Sequence, residues 1–342
     1  MRITAYYLLL AVLLASCAPT PPEPASYSYF AYQLNSNTLV NLTTHQPTSL
    51  DIPSDCSFAN FYPAPRAHYL AIELNCASNS LVLMWDTSTS KYSTLLPNGA
   101  HDSHFLAWDR TSRSLYLKTN SLTAPKIFLY DVSNNTSVEQ NIPNTVYHMD
   151  VAADGSVLYA LTRGLGFGSE VYINNHLALS DAKNIITFAT FSPDAKHIAY
   201  ITLPDSQTPF PLGGLWVADA DGTNAHRLAD ADAGRGFAPS WSPDSTRIAF
   251  VARENPNDES ADQNFDSLKS NIYIANISNN KAIALTEFQN TFVMSPRWSP
   301  DGATITFNIA SDATIQAWQV NVATHVTQAL DAGCCAFWLP NE

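Results

Sequence analysis

The chain has 342 residues, enough for two small domains or one large all-β domain once a leader is removed. Acidic residues outnumber basic ones 30 to 17, a formal net charge of −13, which speaks against a nucleic-acid footprint and against a basic patch that grips anionic lipid. Only 14% of residues are charged, while Ser, Thr and Asn are plentiful, a composition suited to short strands and polar turns more than to surface helices.

At the amino terminus one Arg precedes an apolar run from Leu8 to Leu14, too short to span a bilayer as a helix and of the length of a secretory h-region. The run ends in Leu14-Ala15-Ser16-Cys17, which resembles the lipobox of bacterial lipoproteins. That resemblance implies a signal peptide over 1–16 and a diacylglycerol on the Cys17 thiol. An ordinary signal peptide with an incidental Cys is the alternative. Ala18 in place of Asp after the Cys implies, for a Gram-negative host, an outer-membrane lipoprotein facing the periplasm or the cell surface. Residues 17–26, CAPTPPEPAS, read as a Pro-rich extended tether. The folded domain is then 27–342, and the lipid is its sole link to the membrane.

Four cysteines remain for an oxidising compartment. Cys56 and Cys76 lie symmetrically about Arg66, so a hairpin between them would place both at its open end, and a Cys56–Cys76 disulfide is the favoured pairing. Cys334 and Cys335 are adjacent; a vicinal disulfide, pairing elsewhere and free thiols all stay open.

The middle and end of the chain carry a repeat. "FSPDAKHIAY" from Phe191, "WSPDSTRIAF" from Trp241 and "WSPDGATITF" from Trp298 align without gaps. In each, an aromatic ends one strand, Ser-Pro-Asp and a small residue make a turn, and an alternating apolar run returns as the next strand. One chain rarely carries several copies of an active site, so the repetition favours a conformational device over a catalytic one. Weaker copies surround Phe61, Trp108 and Val151, and Trp338 closes the series. The intervals run from 40 to 57 residues, the length of a four-stranded propeller blade. Each unit has a second half of strand, polar turn and strand, as in "NIYIANISNNKAIALTE" after Ser270. The amino-terminal "YSYFAYQLNSNTLVNLTT" reads as one more such half, the third and fourth strands of a blade. Joined to the carboxy-terminal "CCAFWLP", it predicts a seventh blade, one strand short, that seals the ring.

The WSPDG-type turn with its "IAF" strand resembles the TolB-like β-propeller repeat over nearly all of 27–342. The resemblance implies an all-β, seven-bladed β-propeller closed by pairing the terminal strands, with six blades as the alternative. This repeat serves binding proteins, peptidase propellers and some lyases, so it implies a fold more than a function.

Function is expected on the face where the longer connections emerge, among them 202–214, 231–240, 252–270, 287–296 and 163–169, since loops longer than a fold requires point to binding. Candidate ligand residues there are Asp230, Asp232 and Arg235, read as flanking the channel mouth, with His101 and His104 around Asp102. The acidic loop with Glu254, Asp258, Glu259, Asp262 and Asp266 is a solvated insertion, a calcium site or a contact for a basic partner; otherwise no cofactor is expected. Trp108, Trp241 and Trp298 are assigned to packing between blades. The reading is a non-catalytic envelope lipoprotein that binds a protein, peptide or glycan. The alternative is a propeller-type lyase or hydrolase acting on an envelope glycan or peptide.

Overall fold

A computed structural model describes residues 26–97, 99–120, 124–164, 166–205, 208–232, 238–311, 314–330 and 333–341. Cys17, the leader, most of the tether and Arg235 lie outside them. The described chain forms seven four-stranded antiparallel sheets, the blades of a propeller. Blade 1 unites Cys334–Pro340 with Tyr27–Gln33, Thr38–Asn41 and Pro47–Ser49. The innermost strands of blades 2 to 7 are Cys56–Pro63, His104–Trp108, Val146–Val151, Asn184–Phe191, Ser240–Trp241 and Phe292–Trp298.

Burial explains the strand patterns. Second strands are covered on both faces by neighbouring blades, so Arg247–Arg253 holds an unbroken buried run, Ile248 to Val251, as buried strands do. Outermost strands such as Lys91–Thr94 are short, polar and largely exposed, which blunts a free edge. Seven apolar clusters fill the seven gaps between adjacent blades. Trp108, Trp241 and Trp298 are buried in three of them, as expected.

The Ser-Pro-Asp segment is a turn that satisfies itself. Ser192, Ser242 and Ser299 donate their hydroxyls to Asp194, Asp244 and Asp301 at 2.6, 2.5 and 2.5 Å. The same hydroxyls accept N–H bonds from His197, Arg247 and Thr304. The following small residue is left-handed in each copy: φ is 59° at Ala195, 61° at Ser245 and 70° at Gly302. Ser245 also accepts the Asp194 N–H of the preceding blade at 3.0 Å. The motif therefore shapes turns and joins blades.

The closing blade is as expected in position and different in make-up. Tyr27–Gln33 pairs with Cys334–Pro340 on one edge and with Thr38–Asn41 on the other. It is thus the second strand, and the short Pro47–Ser49 is the fourth. The blade is complete, not one strand short, because alternating apolar patterns do not distinguish a second from a third strand; pairing does. Cys56 and Cys76 face each other in register and form a disulfide. Cys334 and Cys335 form a vicinal one.

Connections alternate between two faces. Those from first to second strand and from third to fourth are short turns, while the variable loops leave from the opposite face. The first and last described residues meet on the turn face, where Asn341 N–H donates to Ser26 O at 2.9 Å.

Candidate functional site

The inner strands are not smooth. Register slips interrupt them between Phe58 and Asn60, Phe105 and Ala107, Val146 and His148, Thr187 and Thr190, and Met294 and Arg297. Such bulges re-aim side chains, and Phe188 and Ser295 take positive φ there, 53° and 57°. The result is a central cavity of about 630 Å³, within the size range of small-ligand sites. It reaches Pro65 and Arg110, which belong to first-to-second turns, so it occupies the turn-face half of the channel.

One wall is aromatic. Tyr62 and Phe105 stack with centroids 3.9 Å apart and planes 14° from parallel. The Tyr62 hydroxyl donates to Glu73 at 2.8 Å, and Glu73 in turn holds His104 Nδ1 at 3.1 Å. Burial, reinforced by the Glu73 charge, pushes the Tyr62 phenol well above its ordinary value. The Glu73 hydrogen bond raises the His104 imidazole despite burial.

The facing wall is polar. Asp150 accepts from Thr190 Oγ1 at 2.9 Å and from Phe191 N–H at 2.7 Å, and Arg110 Nη2 stands 3.6 Å from it. His148 Nε2 lies 2.7 Å from the Ala189 carbonyl, so that nitrogen carries the proton. Burial lowers the imidazole's pKa. Burial also pushes Tyr147 up to about 12.

Arg297 completes the lining. Among the described residues no carboxylate lies within ion-pair distance of its guanidinium. Burial lowers its pKa, yet a guanidinium stays protonated across the physiological range.

The expected ligand residues are not gathered here. Asp230 and Asp232 sit on His226–Asp232, the outermost strand of blade 5, at the rim and not at the channel mouth. Asp230 pairs with Arg227. Asp232 is fully buried, 3.2 Å from Arg253, which also binds Asp262 at 2.6 Å and the Phe210 carbonyl at 2.6 Å. That cluster ties the long loops together. The acidic loop is consequently no solvated insertion: Ala261 and Leu268 are buried within it, Asp258 caps Glu259–Gln263, and Glu254 accepts from Tyr273. His101 is exposed, with its N–H held by Asn120, whereas His104 joins the Tyr62 network. Blades 2 and 3 carry the histidines and blades 5 and 6 the acids, so the two groups lie on different sides of the ring. No group of three or more metal-ligating side chains occurs among the described residues.

Sequence reasoning passed over Asn60, Asp150, Thr190, Ser240 and Arg297. Each immediately precedes the last residue of the repeat's first strand or its equivalent, aromatic at Phe61, Phe191, Trp241 and Trp298 and Val at Val151, where a strand leading into the core would be expected to be apolar. Polar residues recurring at that one position are the signal that could have exposed the channel.

No family model matches the chain. A stretch of 147 residues, 42% of the chain, is 22% identical to dipeptidyl-peptidase 5 of Porphyromonas gingivalis but spans 20% of that relative's length. Among solved structures, an oligogalacturonate lyase in complex with manganese superposes with a TM-score of 0.58 at 13% identity, covering 91% of this chain and 85% of its own. A prolyl endopeptidase gives 0.60 at 12% identity, with 89% and 46% covered. TolB from Acinetobacter baumannii gives 0.51 at 17%, with 89% and 78% covered. The propeller fold is shared with all three, and at these identities the likeness extends to fold alone.

Proposed function

We propose that the chain is a cell-envelope lipoprotein, anchored through Cys17, whose propeller binds a protein, peptide or glycan without turning it over. The observation that carries the reading is the central cavity, built from an aromatic wall, a polar wall and a cation with no carboxylate partner among the described residues. Such a mixture suits recognition. Ser26 and Asn341 lie on the turn face, so a tether anchored at residue 17 would hold that face toward the membrane and turn the variable loops outward as a second contact surface. No helix among the described residues is long and apolar enough to cross a membrane, in keeping with attachment by lipid.

Ala238 is exposed and lines the cavity, which makes Ala238→Trp a plug. Retrieval of an envelope partner by the mature chain should fall at least about tenfold with Ala238→Trp, at unchanged melting temperature. Undiminished retrieval would remove the channel from the reading. Cys17→Ala should release the protein from membranes, and continued sedimentation with them would count against the anchor.

The second reading, a lyase or hydrolase, draws on His148 and Asp150 facing one cavity. Turnover of an envelope glycan or peptide that is lost in His148→Ala would favour it.

A further inference from the structure

We propose that Arg297 holds a single carboxylate in the central cavity, and that this carboxylate is the C-terminal end of a peptide with an apolar last residue. The inference rests on the binding reading above and names its ligand.

Among the described residues lining the cavity, one charged side chain has no carboxylate within ion-pair distance. Arg110 is countered by Asp150 at 3.6 Å. His148 gives its Nε2–H to the Ala189 carbonyl at 2.7 Å and has the Asp150 charge nearby. Arg297 remains, in a chain with 30 acidic residues against 17 basic ones, so its isolation is not for want of acids. A guanidinium that faces a cavity without a carboxylate beside it is an anion site in waiting. A carboxylate answers it with two parallel N–H···O bonds, a geometry that neither a hydroxyl nor an amide reproduces.

Neighbouring groups favour the same occupant. Asn60 shares a small side pocket with Arg297 and stands beside the Tyr62 hydroxyl. Its Oδ1 is taken by Phe61 N–H at 2.8 Å, which leaves its NH₂ to donate. A sugar would need acceptors for several hydroxyls as well as donors. Asp150 is the one carboxylate lining the cavity among the described residues, and it already accepts from Thr190 and Phe191. Donors converge while carboxylate acceptors are few, and the Tyr62–Phe105 stack and Phe188 offer an apolar wall. An acid with an apolar body fits that arrangement better than a polyhydroxyl chain.

The test is calorimetric titration of the mature chain with N-acetylphenylalanine, its amide and digalacturonate. N-acetylphenylalanine should bind, with the amide at least about tenfold weaker. Arg297→Gln should weaken binding about thirtyfold, the loss of a charge-assisted pair, and Arg297→Lys less. Equal affinity for acid and amide, indifference to Arg297→Gln or absent binding overturns the proposal. Digalacturonate binding more tightly than N-acetylphenylalanine overturns the peptide in favour of an acidic glycan. The two readings fail separately: absent acid binding with partner retrieval still blocked by Ala238→Trp sinks the carboxylate alone, whereas an ineffective plug sinks the channel itself.

Discussion

The closing blade meets its two neighbours in unlike ways. Against blade 2 it packs Phe30, Tyr32 and Phe337 onto Phe61 and Trp85, with Phe61 5.1 Å from Tyr32 and 5.3 Å from Phe337 between ring centroids. Against blade 7 the buried residues are Ala31, Ala317, Leu330 and Ala336. Small side chains there let the backbones approach, and polar bonds take over: Ala317 N–H donates to Gly333 O at 2.5 Å and Cys335 N–H to Asn308 Oδ1 at 2.9 Å. Apolar area removed from water is the larger source of stability, whereas a hydrogen bond exchanged with water contributes little net. The ring is therefore sealed by strand pairing within blade 1 but clamped mainly on one side of it. The seam with blade 7 is where it should open first.

The largest effect that could break this contrast is on the aromatic side. Phe337 is 1% exposed, and Phe337→Ala should cost about 3–5 kcal/mol, read from denaturant unfolding. A loss below about 1 kcal/mol would mean the aromatic seam does not clamp the ring.

Leu330→Ala on the other seam should cost about 2 kcal/mol. It should also speed hydrogen exchange of the Ala317 amide while sparing amides of Tyr69–Cys76. Uniform acceleration of both would show that the ring opens as one unit and that the seams are equivalent.

The smallest effect sharpens the contrast between blades with the Ser-Pro-Asp turn and the closing blade without it. The Ser299 hydroxyl and the Ala303 N–H hold the Asp301 carboxyl below its ordinary value. At Asp194 and Asp244 burial opposes ionisation, but bonds from Ser192 and Ser242 outweigh it. A folded value below the unfolded one stabilises fully above the unfolded value, near pH 4, and the contribution is lost as pH falls through the lower folded values. Asp301→Asn should therefore lower stability by about 0.5–1 kcal/mol near neutrality and flatten the acid limb of a melting-temperature profile. An unchanged acid limb would show that the turn carboxylates do not govern acid lability.

Much of the fold was legible because its information is local. The Ser-Pro-Asp turn closes its own hydrogen bonds within a few residues, so each copy could be recognised from the chain alone. The hairpin that pairs Cys56 with Cys76 is equally local. The site was not legible. Asp232 looked like a ligand beside the channel because it sits in a Gly-containing loop region, yet Arg253, more than twenty positions away, buries it. Arg297 looked like an ordinary strand residue, and that no carboxylate among the described residues pairs with it could be known only from the folded chain.

The amino-acid sequence by itself determined the repeat, its turn chemistry, the number of blades and the meeting of the two ends, because alternation and turn propensity act over a few bonds. Tertiary structure alone decided which strand takes second place in the closing blade, where the bulges aim the channel's side chains and which charges find partners. Those outcomes depend on contacts between residues far apart in the chain, and neither pairing nor desolvation has a local signature.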